Sequence, residues 1–144
     1  MIRQLTIKDK ISLISYLSEK TNISLPNATV KVSKILKSGL TALIKESKNL
    51  EGVCWVETRL VGEKKEKFVE MLVNNWRLAE DFIKVLRWNL NGDYFFVLPK
   101  HDFLNRTYNK NGIRFFKCDG DKNIYCQRFE KRQFFNYKSE DNEE

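Results

Sequence analysis

The sequence predicts an α+β fold, a mixed and mostly antiparallel sheet of about seven strands flanked by about four helices. Three observations carry this expectation. Segments with apolar residues at helical spacing alternate with short aromatic or β-branched runs. Three consecutive runs in the middle of the chain are joined by KESKNLE and VGEKK, charged connections with the turn residues of hairpins. Further on, the apolar run Tyr94 to Leu98 is stopped by Pro99, and a short helical stretch follows before Asn111-Gly112 turns the chain back.

Each element has a local reason. Ile2 to Leu5 makes a short apolar strand, and Thr6 with Asp9 three residues on has the spacing of a helix-start capping box. A helix is expected from about Ile7 to Lys20, with Ile11, Ile14 and Leu17, helped by Leu13 and Tyr16, as its buried stripe. A second runs from about Pro26 to Lys37, where Pro26 fits the first turn and Gly39 is placed to cap the end. Strands at Leu40 to Ile44, Gly52 to Leu60 and Lys67 to Val73 form an antiparallel meander, the second of them alternating about Val53 and Trp55. Asn74 and Asn75 can cap a helix over about Trp76 to Trp88, whose Leu78, Phe82, Val85 and Leu86 share one face. Asn91-Gly92 ends it. Then come the strand Tyr94 to Leu98, a short helix within 101–110 that carries Tyr108, and a final hairpin. Its strands are Ile113 to Cys118 and Ile124 to Phe129, joined by Asp119-Gly120-Asp121-Lys122.

Composition bounds the function. With 144 residues, 42% of them hydrophobic, the chain suits one domain over 1–138. The stretch 139–144 is acidic, with four carboxylates and no cation from Glu140 to Glu144, and is expected to be disordered. The net charge of +7 therefore understates how basic the body is, a field that favours nucleic acid, an acidic protein or a phosphate-bearing cofactor. No run approaches the roughly 20 apolar residues needed to cross a membrane, and MIRQLTIKDK lacks a signal-peptide core, so a cytoplasmic location is expected. Cys54, Cys118 and Cys126 have no CxxC spacing, and a single histidine gives them little company, so no metal site is expected.

The order strand, two helices, three strands, helix, strand, helix, two strands resembles the GNAT-type N-acetyltransferases over the chain up to about Lys131. Tyr108, Lys110, Gly112 and Ile113 match that family's Y-x-K-x-G-[FI] pattern. The resemblance implies acetyl-CoA, or another acyl-CoA, as cofactor and an amine as acceptor. It implies that Tyr108 protonates the departing thiolate, and that Met71, Leu72 and Val73 on the fourth strand hold the pantetheine arm, the backbone N–H of Leu72 or Val73 polarising the thioester carbonyl. His101 stands where the family often has an asparagine near the strand splay. The chain departs from the family at the pyrophosphate loop, [QR]-x-x-G-x-[GA], whose glycines let backbone N–H groups close on the phosphates. Here the chain runs Asn74-Asn75-Trp76-Arg77-Leu78-Ala79, shortened and without glycine. Arg59-Leu60-Val61-Gly62 fits half the motif but precedes the wrong strand. A Lys- and Asn-rich chain with this shortened turn also looks similar to GNAT-like proteins encoded by bacteriophages, for which the location would be the host cytoplasm.

The residues leave two readings open. As an acyltransferase, the chain would use Tyr108 as acid and Glu70 or Glu57 as base, the helix N-terminus with Asn74, Asn75 and Arg77 taking the phosphates and Trp76 lining the opening. As a catalytically inactive binding module, it would hold nucleic acid or an acidic protein through Arg128, Lys131, Arg132 and Lys138 interleaved with Phe129, Phe134, Phe135 and Tyr137.

Overall fold

A computed structural model describes residues 2–38, 43–46 and 49–130. Gly39, the start of the strand expected from Leu40, the basic and aromatic residues from Lys131 to Lys138, and the acidic stretch 139–144 lie outside the described residues. The elements are β1 (Ile2–Gln4), a 3₁₀ turn (Ile7–Asp9), α1 (Lys10–Thr21), α2 (Leu25–Lys37), β2 (Leu43–Glu46), β3 (Leu50–Val61), β4 (Lys64–Val73), α3 (Trp76–Asn89), β5 (Gly92–Pro99), α4 (Leu104–Lys110), β6 (Arg114–Asp119) and β7 (Lys122–Phe129). The strands form one sheet in the order β1-β2-β3-β4-β5-β7-β6. Every neighbouring pair is antiparallel except β4 and β5.

The sheet separates two cores because strand side chains alternate between faces. On one face, Val53 and Trp55 of β3 meet Leu13, Tyr16 and Leu17 of α1 and Ala28, Val32 and Ile35 of α2. On the other, Cys54 of β3, Val69 of β4 and Phe96 of β5 meet Leu78, Phe82, Ile83 and Leu86 of α3 and Leu104 and Tyr108 of α4. Gly52 sits where α3 crosses β3. A Cβ there would lie 2.6 Å from Leu78 Cδ2 and 2.9 Å from the Leu72 carbonyl oxygen, so only glycine lets the start of α3 settle on the strand.

The N-terminal capping residues do form a clasp. The Thr6 N–H donates to Asp9 Oδ2 at 2.8 Å, and Arg3 grips both oxygens of the same carboxylate at 2.7 and 2.9 Å. Arg3 holds the Asp9 carboxyl below the usual range, against the upward push of burial. The expected stripe of α1 needs one correction: Ile11 is 79% exposed. At about 100° per residue it points away from Leu13, and the phase is set by Leu13, Tyr16 and Leu17, which stand at i, i+3 and i+4. α1 ends at Asn22 in the left-handed region (φ +56°), and Ser24 caps α2 by accepting from the Asn27 N–H. Among the described residues, no helix is long and apolar enough to cross a membrane.

Candidate functional site

Besides register shifts at Lys45/Glu46 in β2 and Phe115/Lys117 in β6, the sheet has a fork. β3 and β4 are in register from Gly52↔Val73 to Val61↔Lys64, and β5 and β7 from Gly92↔Phe129 to Pro99↔Lys122. Between them, β4 and β5 pair only at Phe68↔Phe95 and Val69↔Phe96. Each strand is thus held firmly by its antiparallel neighbour and barely by the other. Beyond Val69, the segment Glu70 to Val73 turns its second edge toward an opening between the strands.

Tyr108 approaches the apex of this fork from the α3/α4 face. Its ring packs edge-on against Phe96, the last paired residue of β5, at 5.1 Å between centroids, and against Tyr125 at 5.4 Å. Burial pushes its phenol well above the ordinary tyrosine value, and Cys54 and Glu70 add to the shift, so the hydroxyl keeps its proton at neutral pH. The backbone explains the Y-x-K-x-G-I spacing physically. The Ile113 N–H donates to the Tyr108 carbonyl at 2.9 Å and the Gly112 N–H to the Asn109 carbonyl at 3.2 Å, with Gly112 at φ +78°. These are the two hydrogen bonds of a Schellman cap, which wants glycine at its left-handed residue and an apolar residue next, here Ile113, to pack beside Tyr108.

Two asparagines fix this helix. The Asn111 amide donates to Glu80 of α3 and to the Thr107 carbonyl, both at 2.8 Å, while Arg87 donates to the Asn111 carbonyl. The Asn105 amide donates to the carbonyls of Pro99 (2.8 Å) and Asp102 (2.9 Å), and its oxygen accepts from Asn123 and from the Tyr125 hydroxyl. α4 is therefore tied to α3, to the end of β5 and to β7.

Glu70 stands on the opposite face, first after the last paired residue of β4 and directly across from Trp55. Its Oε2 accepts from Arg59 Nη2 at 2.7 Å. Arg59 also donates to Glu57 Oε2 through Nη2 (2.9 Å) and Nε (3.1 Å), and the Trp55 indole N–H donates to Glu57 Oε1 at 3.0 Å. One arginine therefore joins the two carboxylates that the sequence singled out. They differ in character. Burial pushes the Glu70 carboxyl above the usual range by more than Arg59 draws it down. Burial pushes Glu57 upward too, but the Trp55 and Arg59 hydrogen bonds with the charges of Arg59 and Lys31 hold it below that range. Glu70 is the better proton acceptor of the pair.

On the side expected to hold the cofactor, Met71, Leu72 and Val73 are half-buried along the open edge of β4. The Asn75 side chain caps α3 by accepting from the Leu78 N–H at 3.0 Å, whereas Asn74 Oδ1 is turned to α1, accepting from the Tyr16 hydroxyl at 3.4 Å. Trp76 is 44% exposed, with Arg77 and Lys110 both against its ring, at 5.3 and 5.2 Å from the centroid. It lines an open cleft of 730 Å³ between α3 and α4, together with Phe103, Arg106 and Lys110. His101 is exposed in the turn between β5 and α4. It does not stand at the helix start, since α4 begins at Leu104, whose N–H is taken by the Asp102 side chain at 2.8 Å.

Arg59 and Arg106 were not singled out from the sequence as site residues. Arg59 could have been found from alternation along β3, which puts it on the face of Glu57, and Arg106 from its place one turn before Lys110. Of the basic and aromatic surface expected near the C-terminus, the described part is spent otherwise: Arg128 pairs with Asp93 at 3.0 Å, and Phe129 is buried in the α3 core because β7 alternates inward there. Phe129 is therefore not available to stack on a base.

No protein-family model matches the chain, and no curated protein does. Solved structures do. A GNAT-family acetyltransferase from Bacillus cereus superposes with a TM-score of 0.71 at 12% identity, covering 90% of this chain and 96% of that one. A ribosomal-protein-alanine N-acetyltransferase from Brucella melitensis gives 0.67 at 10% identity, covering 90% and 99%. A GNAT-family acetyltransferase from Streptococcus agalactiae gives 0.63 at 16% identity, covering 91% and 96%. The fold of this chain is that of the GNAT acetyltransferases.

Proposed function

We propose that this protein transfers an acyl group, acetyl in the simplest case, from acyl-coenzyme A to an amine. The observation that carries the reading is the fork, with a carboxylate of raised pKa on one face of its apex and a buried, protonated phenol on the other. The pantetheine arm would run along the open edge of β4 at Met71, Leu72 and Val73, bringing the thioester to the apex. There the amine nitrogen attacks the acyl carbon, Glu70 takes the amine proton directly or through water, and a backbone N–H of Leu72 or Val73 stabilises the developing oxyanion. As the C–S bond breaks, the sulfur takes the proton of Tyr108. The N–C bond remains in the product and coenzyme A leaves as the thiol. Glu57 serves in this scheme to hold Arg59 and is the weaker candidate for the base.

The phosphates need a substitute for the missing glycines. Arg106 and Lys110 line the α3–α4 cleft and Arg77 lies against the Trp76 ring in the first turn of α3, so the three would supply cations for the phosphates, and Trp76 with Phe103 offers two exposed aromatic faces for the adenine ring. Asn75 supports this arrangement as the cap of α3.

Calorimetric titration with acetyl-CoA tests the reading, using the full chain, Tyr108→Phe, and a double variant with Arg77 and Lys110 changed to Ala. Binding that weakens at least about tenfold in the double variant and survives in Tyr108→Phe is the expected result. No binding by the unaltered chain at millimolar cofactor would overturn it.

A further inference from the structure

We propose that the acceptor is a zwitterionic α-amino acid with an apolar, preferably aromatic, side chain, an inference that rests on the acyl-transfer reading and deepens it. The first observation is the Arg59–Glu70 pair at the fork. A cation and an anion held 2.7 Å apart are the mirror image of a zwitterion, which can replace both halves of the pair at once. Its carboxylate goes to the guanidinium and its amine to Glu70. Arg59 does not swing away when Glu70 is released, because Glu57 still accepts from Nε and Nη2, and its fork of five donors has room for a second carboxylate.

The second observation is an uncovered aromatic strip that begins at the same arginine. The Arg59 guanidinium lies 4.7 Å above the Phe68 ring. Phe68 packs on Phe95 at 5.4 Å, and Phe95 on Phe116 at 6.1 Å. Strand alternation places Phe68 and Phe95 on the face of Glu70, where α1 and α2 cover Val53, Trp55 and Leu72 and no described helix covers the three rings. Phe116, at the far end, is 57% exposed. Charge complementarity at Arg59 and Glu70 thus fixes the amine at the apex, and the rings that start at Arg59 give the side chain of the acceptor an apolar surface within reach. An amine without a carboxylate leaves Arg59 without its second partner, and a polyamine meets Arg59, Lys31 and Lys117.

The full chain is assayed for thiol release from acetyl-CoA with L-phenylalanine, L-phenylalaninamide, 2-phenylethylamine and glycine, and binding of L-phenylalanine is followed separately by saturation-transfer NMR. We expect N-acetylphenylalanine as product, with kcat/KM at least about tenfold lower for each analogue. Arg59→Met should erase the advantage over 2-phenylethylamine, and a double variant with Phe95 and Phe116 changed to Ser should erase the advantage over glycine. Turnover of 2-phenylethylamine as good as that of L-phenylalanine, or a preference unchanged in Arg59→Met, would overturn the proposal while leaving acyl transfer standing. L-Phenylalanine bound through Arg59 but not turned over, by a chain that does not bind acetyl-CoA, would instead sink acyl transfer and keep the ligand site. No binding of L-phenylalanine at millimolar concentration, with acetyl-CoA present, overturns the proposal outright.

Discussion

Glu70 and Tyr108 flank the point where β4 and β5 part, one on each face of the sheet. Neither could serve a reaction in the middle of a continuous sheet, because paired backbone would separate them. Where the strands open, the charge of Glu70 reaches the Tyr108 phenol and raises its pKa, and the first two predictions below depend on that opening.

Tyr108→Phe removes one hydroxyl and keeps the ring contacts to Phe96 and Tyr125. The variant should fold with a loss below about 1.5 kcal/mol, while kcat for acyl transfer drops about 10²- to 10⁴-fold at unchanged KM for acetyl-CoA. Urea melts and steady-state rates read the two separately. An unchanged kcat would remove Tyr108 from the chemistry and leave it a core residue. Tyr108→Ala, which empties the core beneath α4, should cost about 3–5 kcal/mol.

Glu70 must be ionised to accept a proton, and burial raises its pKa. The rate should therefore climb with pH through a limb lying above the ordinary carboxylate range. Glu70→Gln should abolish that limb, whereas Glu57→Gln should move it without removing it. Rates measured from pH 4 to 8 decide, and a limb that persists in Glu70→Gln would assign the base elsewhere.

The clasp of Arg3 on Asp9 predicts a pH dependence for stability, lying in more acid solution. The folded pKa of Asp9 is lowered, so the unfolded chain binds the extra proton in acid. The contribution is present above the ordinary aspartate value and is lost as pH falls through the folded value. Asp9→Asn should be less stable than the parent at pH 7, and the two should converge toward pH 2. Equal stability at pH 7 would show that the clasp contributes nothing.

Gly52→Ala drives a methyl group toward the Leu72 carbonyl and Leu78. Leu78 can yield but the backbone carbonyl cannot, so a cost of about 1–3 kcal/mol is expected. The start of α3 should shift with it, weakening acetyl-CoA binding as well. A thermal midpoint matching the parent would contradict this packing.

Most of the fold was legible because it rests on local signals: Pro26 in the first turn of α2, the cap at Asn75, the stop at Pro99, and hairpin turns at Gly62 and Gly120. The phase of α1 was misjudged at Ile11, where three apolar residues at i, i+3 and i+6 suggested a stripe that the 3₁₀ turn and the Leu13 face did not follow. The site was legible one residue at a time. Glu57, Glu70 and Tyr108 stood out by type; local alternation puts Arg59 beside Glu57, but it reaches Glu70 only through the register of β3 on β4, which no local pattern encodes. The fork itself depends on how far two parallel strands stay paired, a tertiary outcome. The tyrosine motif could be read in the sequence as a family signature, and its capping geometry only from the backbone.

The open edge of β4 also bears on what this protein is when nothing is bound. Along Glu70 to Val73 every second residue turns its N–H and C=O away from β3 toward the opening, at intervals of two residues of about 3.3 Å each, and an extended arm carrying amides can add to them as a further strand would. The ligand then acts as a missing structural member. By linkage, a hundredfold excess over its Kd would add about 2.7 kcal/mol to stability, so the cell's supply of cofactor would set how long the chain survives as well as how fast it works.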